Sequence, residues 1–136
     1  MNKKPHRKGA LLAAGLLFTG MCMATPLSRS DVSNRCHLIS EELIRLAAQD
    51  RTAPCVDQVM LSALYADRAS QYVQQERIAF ALNHLDFAIE QWEMLSNKAQ
   101  CPSLSFYSMF YVARLSQLKR DIQYLADSSS PSSTQQ

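Results

Sequence analysis

The sequence predicts a small all-α protein, an antiparallel bundle of about four helices with a helical hairpin at its centre. All three glycines lie within the first 20 residues, which disfavours the glycine-dependent turns of β-hairpins. Apolar residues recur in steps of three and four, the period of an amphipathic helix. Prolines divide the rest of the chain into helix-length segments, because proline is tolerated at helix starts and poorly inside helices. These prolines are Pro26, Pro54, Pro102 and Pro131.

Residues 1–24 are predicted to be a secretory signal peptide that is cleaved after Ala24. Four basic residues between positions 3 and 8 precede an apolar run at 11–18, and Cys22-Met23-Ala24 fits a small-x-small cleavage site. An uncleaved anchor is a less favoured alternative, because the uncharged stretch 9–24 has 16 residues and a membrane span needs about 20. Acylation of Cys22, as in a lipoprotein, is a second alternative. Met21 argues against it, because a small residue is expected before the acylated cysteine.

Removal of the leader changes the charge of the chain. Four of the 14 Lys and Arg residues lie in the leader, which leaves 10 against 12 Asp and Glu, a net charge of −2. No basic stripe survives, so the sequence lacks the electrostatic footprint of a nucleic-acid binder. A mature chain without glycine also lacks the phosphate loops, nucleophile elbows and dinucleotide fingerprints that depend on glycine.

The first helix is predicted from about Asp31 to Gln49, on a seam of apolar residues in steps of four and three. That seam comprises Val32, Cys36, Ile39, Leu43 and Leu46. A turn at 50–54 precedes a long helical block from 55 to 95. One unbroken helix over this block would be about 60 Å long, ungainly in so small a domain. We therefore expect the block to fold back near Gln75, in the polar run 74–77.

The last helix is predicted to begin near Ser103 or Ser105, either of which can cap it, and to end at about Ala126. Its first half is apolar nearly all round, which is typical of a segment buried on more than one side. Residues 127–136 are rich in serine and are predicted to be a disordered polar tail. The helical domain is therefore predicted to span residues 25–126.

The central hairpin resembles a tetratricopeptide repeat over residues 64–95. Its small, aromatic and large apolar positions follow that 34-residue pattern: Tyr65, Ala69, Tyr72, Ile78, Ala81, Leu85 and Ala88. Arg68 departs from the pattern in place of the usual leucine, Glu76 replaces the turn glycine, and the final proline is missing. No second copy of the repeat flanks this unit, whereas a solenoid needs several repeats. We therefore slightly prefer to interpret the unit as an ordinary antiparallel hairpin with the same packing. The resemblance implies a protein-binding module without enzymatic activity.

Three cysteines remain after the leader, a number that fits export to an oxidising compartment with one disulfide and one thiol left over. In an up-and-down bundle, Cys55 begins the second helix and Cys101 follows the third, so the two lie at the same end. We therefore predict a Cys55–Cys101 disulfide. Cys36 lies in an apolar seam and is predicted to be a buried, inert thiol. An intermolecular bridge, or pairing of Cys36 with Cys55, is the alternative.

The sequence offers no specific catalytic or metal-binding motif, so we expect no enzymatic activity, no metal and no cofactor. Only His37 and His84 remain after the leader, and neither has a second ligand at metal-site spacing. The carboxylate pair Glu90 and Glu93 lacks an accompanying nucleophile or histidine, which favours a solvated helix face. No Ser/His/Asp arrangement can be assembled with specificity. A small hydrolase is the least favoured alternative.

The best candidate for a contact surface is the aromatic run from Phe106 to Tyr111, together with Trp92 and Phe87, because aromatic residues are favoured as interface anchors. Burial of these large side chains in the core is the commoner arrangement. The candidate partner-binding residues are Trp92, Phe106, Tyr107, Phe110 and Tyr111.

These observations together predict an exported, non-enzymatic interaction module or accessory factor, either periplasmic in a Gram-negative bacterium or secreted. The expected partner is another protein and not a nucleic acid. Membrane association is expected only if Cys22 is acylated or the leader is retained. One alternative is a pilotin-like accessory of a secretion system, which the chain resembles only in its size, export and helical content. The other is an inhibitor or regulator of a secreted enzyme.

Overall fold

The computed structural model describes residues 26–49, 55–98 and 101–130, and these fold into four α-helices. They are α1 (Arg29–Gln49), α2 (Cys55–Gln74), α3 (Ile78–Ser96) and α4 (Pro102–Ser129). These three ranges contain no strand, so the predicted all-α bundle of four helices is confirmed. None of the helices described is long and apolar enough to cross a membrane. The predicted leader, residues 1–24, lies outside the described residues.

Serine side chains account for two differences between the predicted and observed helix ends. At the start of α1, the Oγ atom of Ser28 accepts a hydrogen bond from the backbone N–H of Asp31 at 3.1 Å, a typical N-cap contact, and the helix begins at Arg29. At its other end, α4 continues through Ser129 instead of ending at Ala126. Ser128 and Ser129 donate hydrogen bonds from their hydroxyls to carbonyls four residues earlier. The predicted tail is thus helical over 127–129, and residues 131–136 lie outside the described residues.

The turn between α2 and α3 confirms the predicted fold-back near Gln75. Glu76 takes φ 61°, the left-handed conformation that usually follows a helix end. The N–H of Arg77 donates to the carbonyl of Tyr72 at 2.9 Å, and the N–H of Glu76 donates to the carbonyl of Val73 at 3.2 Å. These two bonds form a Schellman motif. The Arg77 guanidinium also lies over the Tyr72 ring, 5.0 Å from its centre, in the place of the apolar contact that usually accompanies this motif.

Consecutive helices run antiparallel and pack side by side, and α4 returns to meet α1 along a narrower seam. Two ion pairs cross that seam, Arg35 with Asp121 at 2.6 Å and Arg114 with Glu42. The core between the four helices is mainly aliphatic, and the aromatic residues Trp92 and Tyr111 lie in it near the cysteine end. Its largest fully buried side chains are Trp92, Leu43, Leu85, Leu95, Leu104, Leu115, Leu118 and Ile122.

A buried serine lies at each of the three contacts between consecutive helices. Ser33 of α1 donates to the carbonyl of Ser70 at 3.0 Å, and Ser62 of α2 donates to the carbonyl of Ala88 at 3.0 Å. Ser108 of α4 donates to the carbonyl of Trp92 at 2.7 Å. Each hydroxyl reaches the backbone of the neighbouring helix, so the helix axes must be close at these points. The small side chain permits that approach, and the hydrogen bond satisfies its buried polar atom.

Candidate functional site

The most unusual surface of the molecule is a set of large apolar side chains on the first half of α4. We call this set the α4 apolar face. It comprises Phe106, Tyr107, Met109 and Phe110, which are 82%, 41%, 84% and 53% exposed. An open groove of about 770 Å³ along this surface is lined by Ser105, Phe106, Tyr107, Met109, Phe110 and Tyr111. Single exposed apolar residues are ordinary, but four on two turns of one helix form a contiguous patch.

The helix period explains why these side chains point outwards. Leu104, Ser108, Tyr111 and Leu115 lie on one side of α4 and are buried, so they define the side that packs on the bundle. Phe106, Met109 and Phe110 fall between these positions and point the other way. Within the described ranges, α4 packs on α3 and α1, and the α4 apolar face is left uncovered.

The structure corrects the predicted contact surface at Trp92 and Tyr111. Trp92 is 0% exposed and Tyr111 is 7% exposed, and their rings stack 4.8 Å apart with 19° between their planes. Burial raises the pKa of the Tyr111 phenol, and the nearby Glu42 carboxylate adds to that rise. Both residues support the α4 apolar face from beneath, because their positions in the helical period face the core. Of the predicted contact residues, Phe106, Tyr107 and Phe110 remain available to a partner.

An ion pair lies beside the α4 apolar face, at the end of the face that is closer to the middle of α4. Both terminal nitrogens of the Arg114 guanidinium donate to the Glu42 carboxylate of α1, and the guanidinium carbon lies 5.2 Å from the centre of the Phe110 ring. The hydrogen bonds to Glu42 raise the pKa of Arg114, so the guanidinium stays charged. From Pro102 to Ala113 the sequence contains no charged residue, and the patch is therefore apolar and uncharged with a paired charge at one rim.

A second aromatic surface, absent from the sequence-based predictions except for Phe87, runs along the outside of α2 and α3. Tyr65 contacts Phe87 with ring centres 5.4 Å apart, and Tyr72 contacts His84 and Phe80 at 4.9 and 5.5 Å. The steps Phe80, His84 and Phe87 along α3 could have indicated it from the sequence. These rings are half-exposed and contact one another across the two helices. The rings therefore add to the packing between α2 and α3.

A polar groove of about 470 Å³ between α1 and α2 brings a histidine, two carboxylates and three serines together. The Nδ1 atom of His37 lies 3.0 Å from Asp67, as in a catalytic triad, but its Nε2 atom faces Glu41 at 3.6 Å. A triad needs the nucleophilic hydroxyl at that second nitrogen. The Ser33 hydroxyl is instead buried, where it donates to the Ser70 carbonyl. The groove therefore does not have the geometry of a hydrolase site.

The three cysteines in the described part of the chain are a close pair and one buried thiol. Cys55 and Cys101 lie at disulfide distance, with Cα atoms 6.0 Å apart. Cys36 is a free thiol with no exposed surface, and burial raises its pKa to about 12, so the reactive thiolate is scarce at neutral pH. Within the described ranges, no three His, Cys, Asp or Glu residues are grouped closely enough to hold a metal ion.

Comparison with known proteins gives no relative from which a function could be transferred. A functional proposal therefore depends on the geometry of the surfaces of this chain. No protein-family model, no curated protein and no solved structure matches the chain.

Proposed function

We propose that this protein is an exported, non-enzymatic interaction module that binds another protein through the α4 apolar face. The observation that supports this most strongly is the exposure of Phe106 and Met109, each more than four-fifths exposed on a well-packed bundle. Keeping such side chains in water is unfavourable by roughly 1.5–3 kcal/mol each, relative to full burial. A partner that covers them recovers this free energy.

The surroundings of the patch also fit a protein contact surface. Protein interfaces combine a core of aromatic residues and methionine, depleted of charge, with a polar rim. The α4 apolar face supplies the core, and the paired Arg114 and Glu42 supply part of the rim. Trp92 and Tyr111 stack directly beneath it and support the helix that carries it.

The proposal is tested by affinity capture from periplasmic extract, with the mature chain as bait and mass spectrometry as readout. The bait variant Phe106→Ser/Met109→Ser should lose the specifically captured protein, because it removes the two most exposed anchors. Leu64→Ser is the matched control, since Leu64 is an exposed apolar residue of α2, 49% exposed, away from α4. Far-ultraviolet circular dichroism should show all three baits equally helical. Equal capture by the double variant and the wild type would contradict the proposed site.

Export is tested separately, by expressing the full chain in a Gram-negative host and sequencing the N-terminus of the protein recovered from the periplasm. The proposal expects a mature chain that begins at Thr25. Recovery of the chain only in the cytoplasm, with Met1 retained, would contradict export.

A further inference from the structure

The area of the α4 apolar face suggests what covers it. Complete burial of an aromatic side chain removes about 150–250 Å² from water, so the exposed portions of the four side chains offer roughly 500 Å² per molecule. A partner that presents an equal area would bring the total buried area to roughly 1,000 Å², the lower limit for a specific protein interface. A second copy of this chain presents that area in the same shape.

The charge of the α4 apolar face also permits self-association. A two-fold interface places each patch against itself, so an unpaired charge within it would face its own copy and repel. The stretch 102–113 carries no charge. The nearest charge on α4, Arg114, is neutralised by Glu42 of its own molecule. Two copies can therefore meet at this face without opposing unpaired charges.

The spacing of the patch allows an antiparallel pairing. Phe106 and Phe110 are one helical turn apart, with Met109 beside them on the same face of α4. If two α4 helices cross antiparallel near Met109, Phe106 of one copy meets Phe110 of the other, and the reverse contact forms by symmetry.

We infer that this protein forms a two-fold symmetric dimer through antiparallel packing of α4 on its counterpart, with Met109 near the axis. The inference rests on the proposed function, because it takes the same face as the contact surface and names the partner as a second copy. A contact of this kind closes after two copies, so it gives a dimer and no larger assembly.

The association state is measured by sedimentation equilibrium of the purified mature chain, residues 25–136, from micromolar to millimolar concentration. The wild type should fit a monomer–dimer equilibrium. Phe106→Ser/Met109→Ser should weaken association at least 100-fold, because the two anchors are central and interface anchors carry most of the binding energy. Leu64→Ser should leave the dissociation constant unchanged. A wild type that is monomeric up to millimolar concentration would overturn the inference, and so would a series of higher oligomers.

The two-fold geometry has its own test, with cysteine placed at the axis. Met109→Cys should form a covalent dimer under mild oxidation, because residue 109 meets its own copy, and Leu64→Cys should remain monomeric under the same conditions. Failure of Met109→Cys to cross-link while the wild type sediments as a dimer would overturn the antiparallel α4 packing.

The sedimentation and capture experiments separate the two proposals. If the chain is monomeric but the double variant loses a captured protein, the dimer is wrong and the proposed function stands. If the chain dimerises through α4 and the double variant captures as well as the wild type, the dimer stands and binding of another protein at this face is wrong.

Discussion

Glu76 has a backbone conformation that residues with a Cβ atom avoid. Its φ of 61° costs a non-glycine residue about 1–2 kcal/mol, and the Schellman motif around it leaves no other conformation for the turn. The residue is also paired with Arg29 at 2.5 Å, but both side chains are largely exposed, so the pair adds little stability. The position where the tetratricopeptide pattern has glycine is thus one where glycine would be favoured on physical grounds.

We predict that Glu76→Gly is more stable than Glu76→Ala by about 1 kcal/mol, because glycine relieves the left-handed strain and alanine does not. Both variants lose the ion pair with Arg29, so the comparison isolates the backbone effect. Urea denaturation of the two variants provides the measurement. Equal midpoints would show that the turn carries no such strain.

Cys36 makes the free energy of unfolding depend on pH in the alkaline range. Its thiol pKa is raised from 9.0 to about 12 in the folded chain by burial. Between these values the unfolded thiol loses its proton while the folded thiol keeps it, so ionisation favours the unfolded state. The stabilising contribution is complete below pH 9 and decreases as the pH rises towards 12.

The free energy of unfolding should therefore fall more steeply between pH 9 and 12 in the wild type than in Cys36→Ala. Other groups titrate in this range in both proteins, and the difference between the two slopes reports the thiol. Chemical denaturation at several pH values supplies the slopes. Parallel slopes would mean that Cys36 is accessible to water in the native protein.

At the scale of elements, the contact between α3 and α4 depends on Trp92. Its indole is fully buried and stacks on Tyr111, and its Nε1 atom has no hydrogen-bond partner among the described residues. An unpaired buried donor costs about 1–3 kcal/mol, which the packing of the ring must outweigh. A phenyl ring keeps much of the packing and has no donor to leave unpaired.

Trp92→Ala should lower the free energy of unfolding by about 3–5 kcal/mol. Trp92→Phe should lower it by less than half as much, because loss of the unpaired donor offsets part of the lost volume. Circular dichroism is the appropriate readout, since Trp92 is the chain's one tryptophan and its fluorescence is lost in both variants. Similar losses in the two variants would indicate that the indole N–H is bonded after all, for example to water.

The helical period and the turn residues were enough to predict four helices and the fold-back near Gln75. The apolar steps Leu115, Leu118 and Ile122 extend back along α4 to Tyr111 and not to Phe110, so the period places Tyr111 towards the core. Grouping the aromatic run into one contact surface overlooked this, because residues 104–112 are apolar on nearly every side. The end of α4 was placed too early because the hydroxyls of Ser128 and Ser129 bond to the helix backbone, whereas serine-rich composition usually indicates a loop.

At the scale of the whole molecule, the cysteine pair connects the two halves of the bundle at one end. Cys55 begins α2 and Cys101 immediately precedes α4, 46 positions further along the sequence. Up-and-down topology brings them to the same end, which is why the sequence pointed to this pair. A covalent link here confines the whole α2–α3 hairpin to one loop.

Replacement of both residues, Cys55→Ser/Cys101→Ser, should lower the free energy of unfolding by about 4 kcal/mol, the chain-entropy value for a loop of this size. Cys36→Ala, which leaves the pair intact, is the control for loss of a buried sulfur. Peptide mapping without reduction should recover a Cys55–Cys101 cross-linked peptide. Alkylation of Cys55 in the native protein would contradict the pairing.

The three serines that donate to the backbone of a neighbouring helix also help to fix the position of each helix along that neighbour. A helix that slid by one turn, about 5.4 Å, would carry each hydroxyl away from the carbonyl that it contacts. Such a slide would break these three hydrogen bonds between neighbouring helices, and each bond contributes about 0.5–1.5 kcal/mol to stability. The three serine bonds therefore favour one register of the four helices over the registers one turn away.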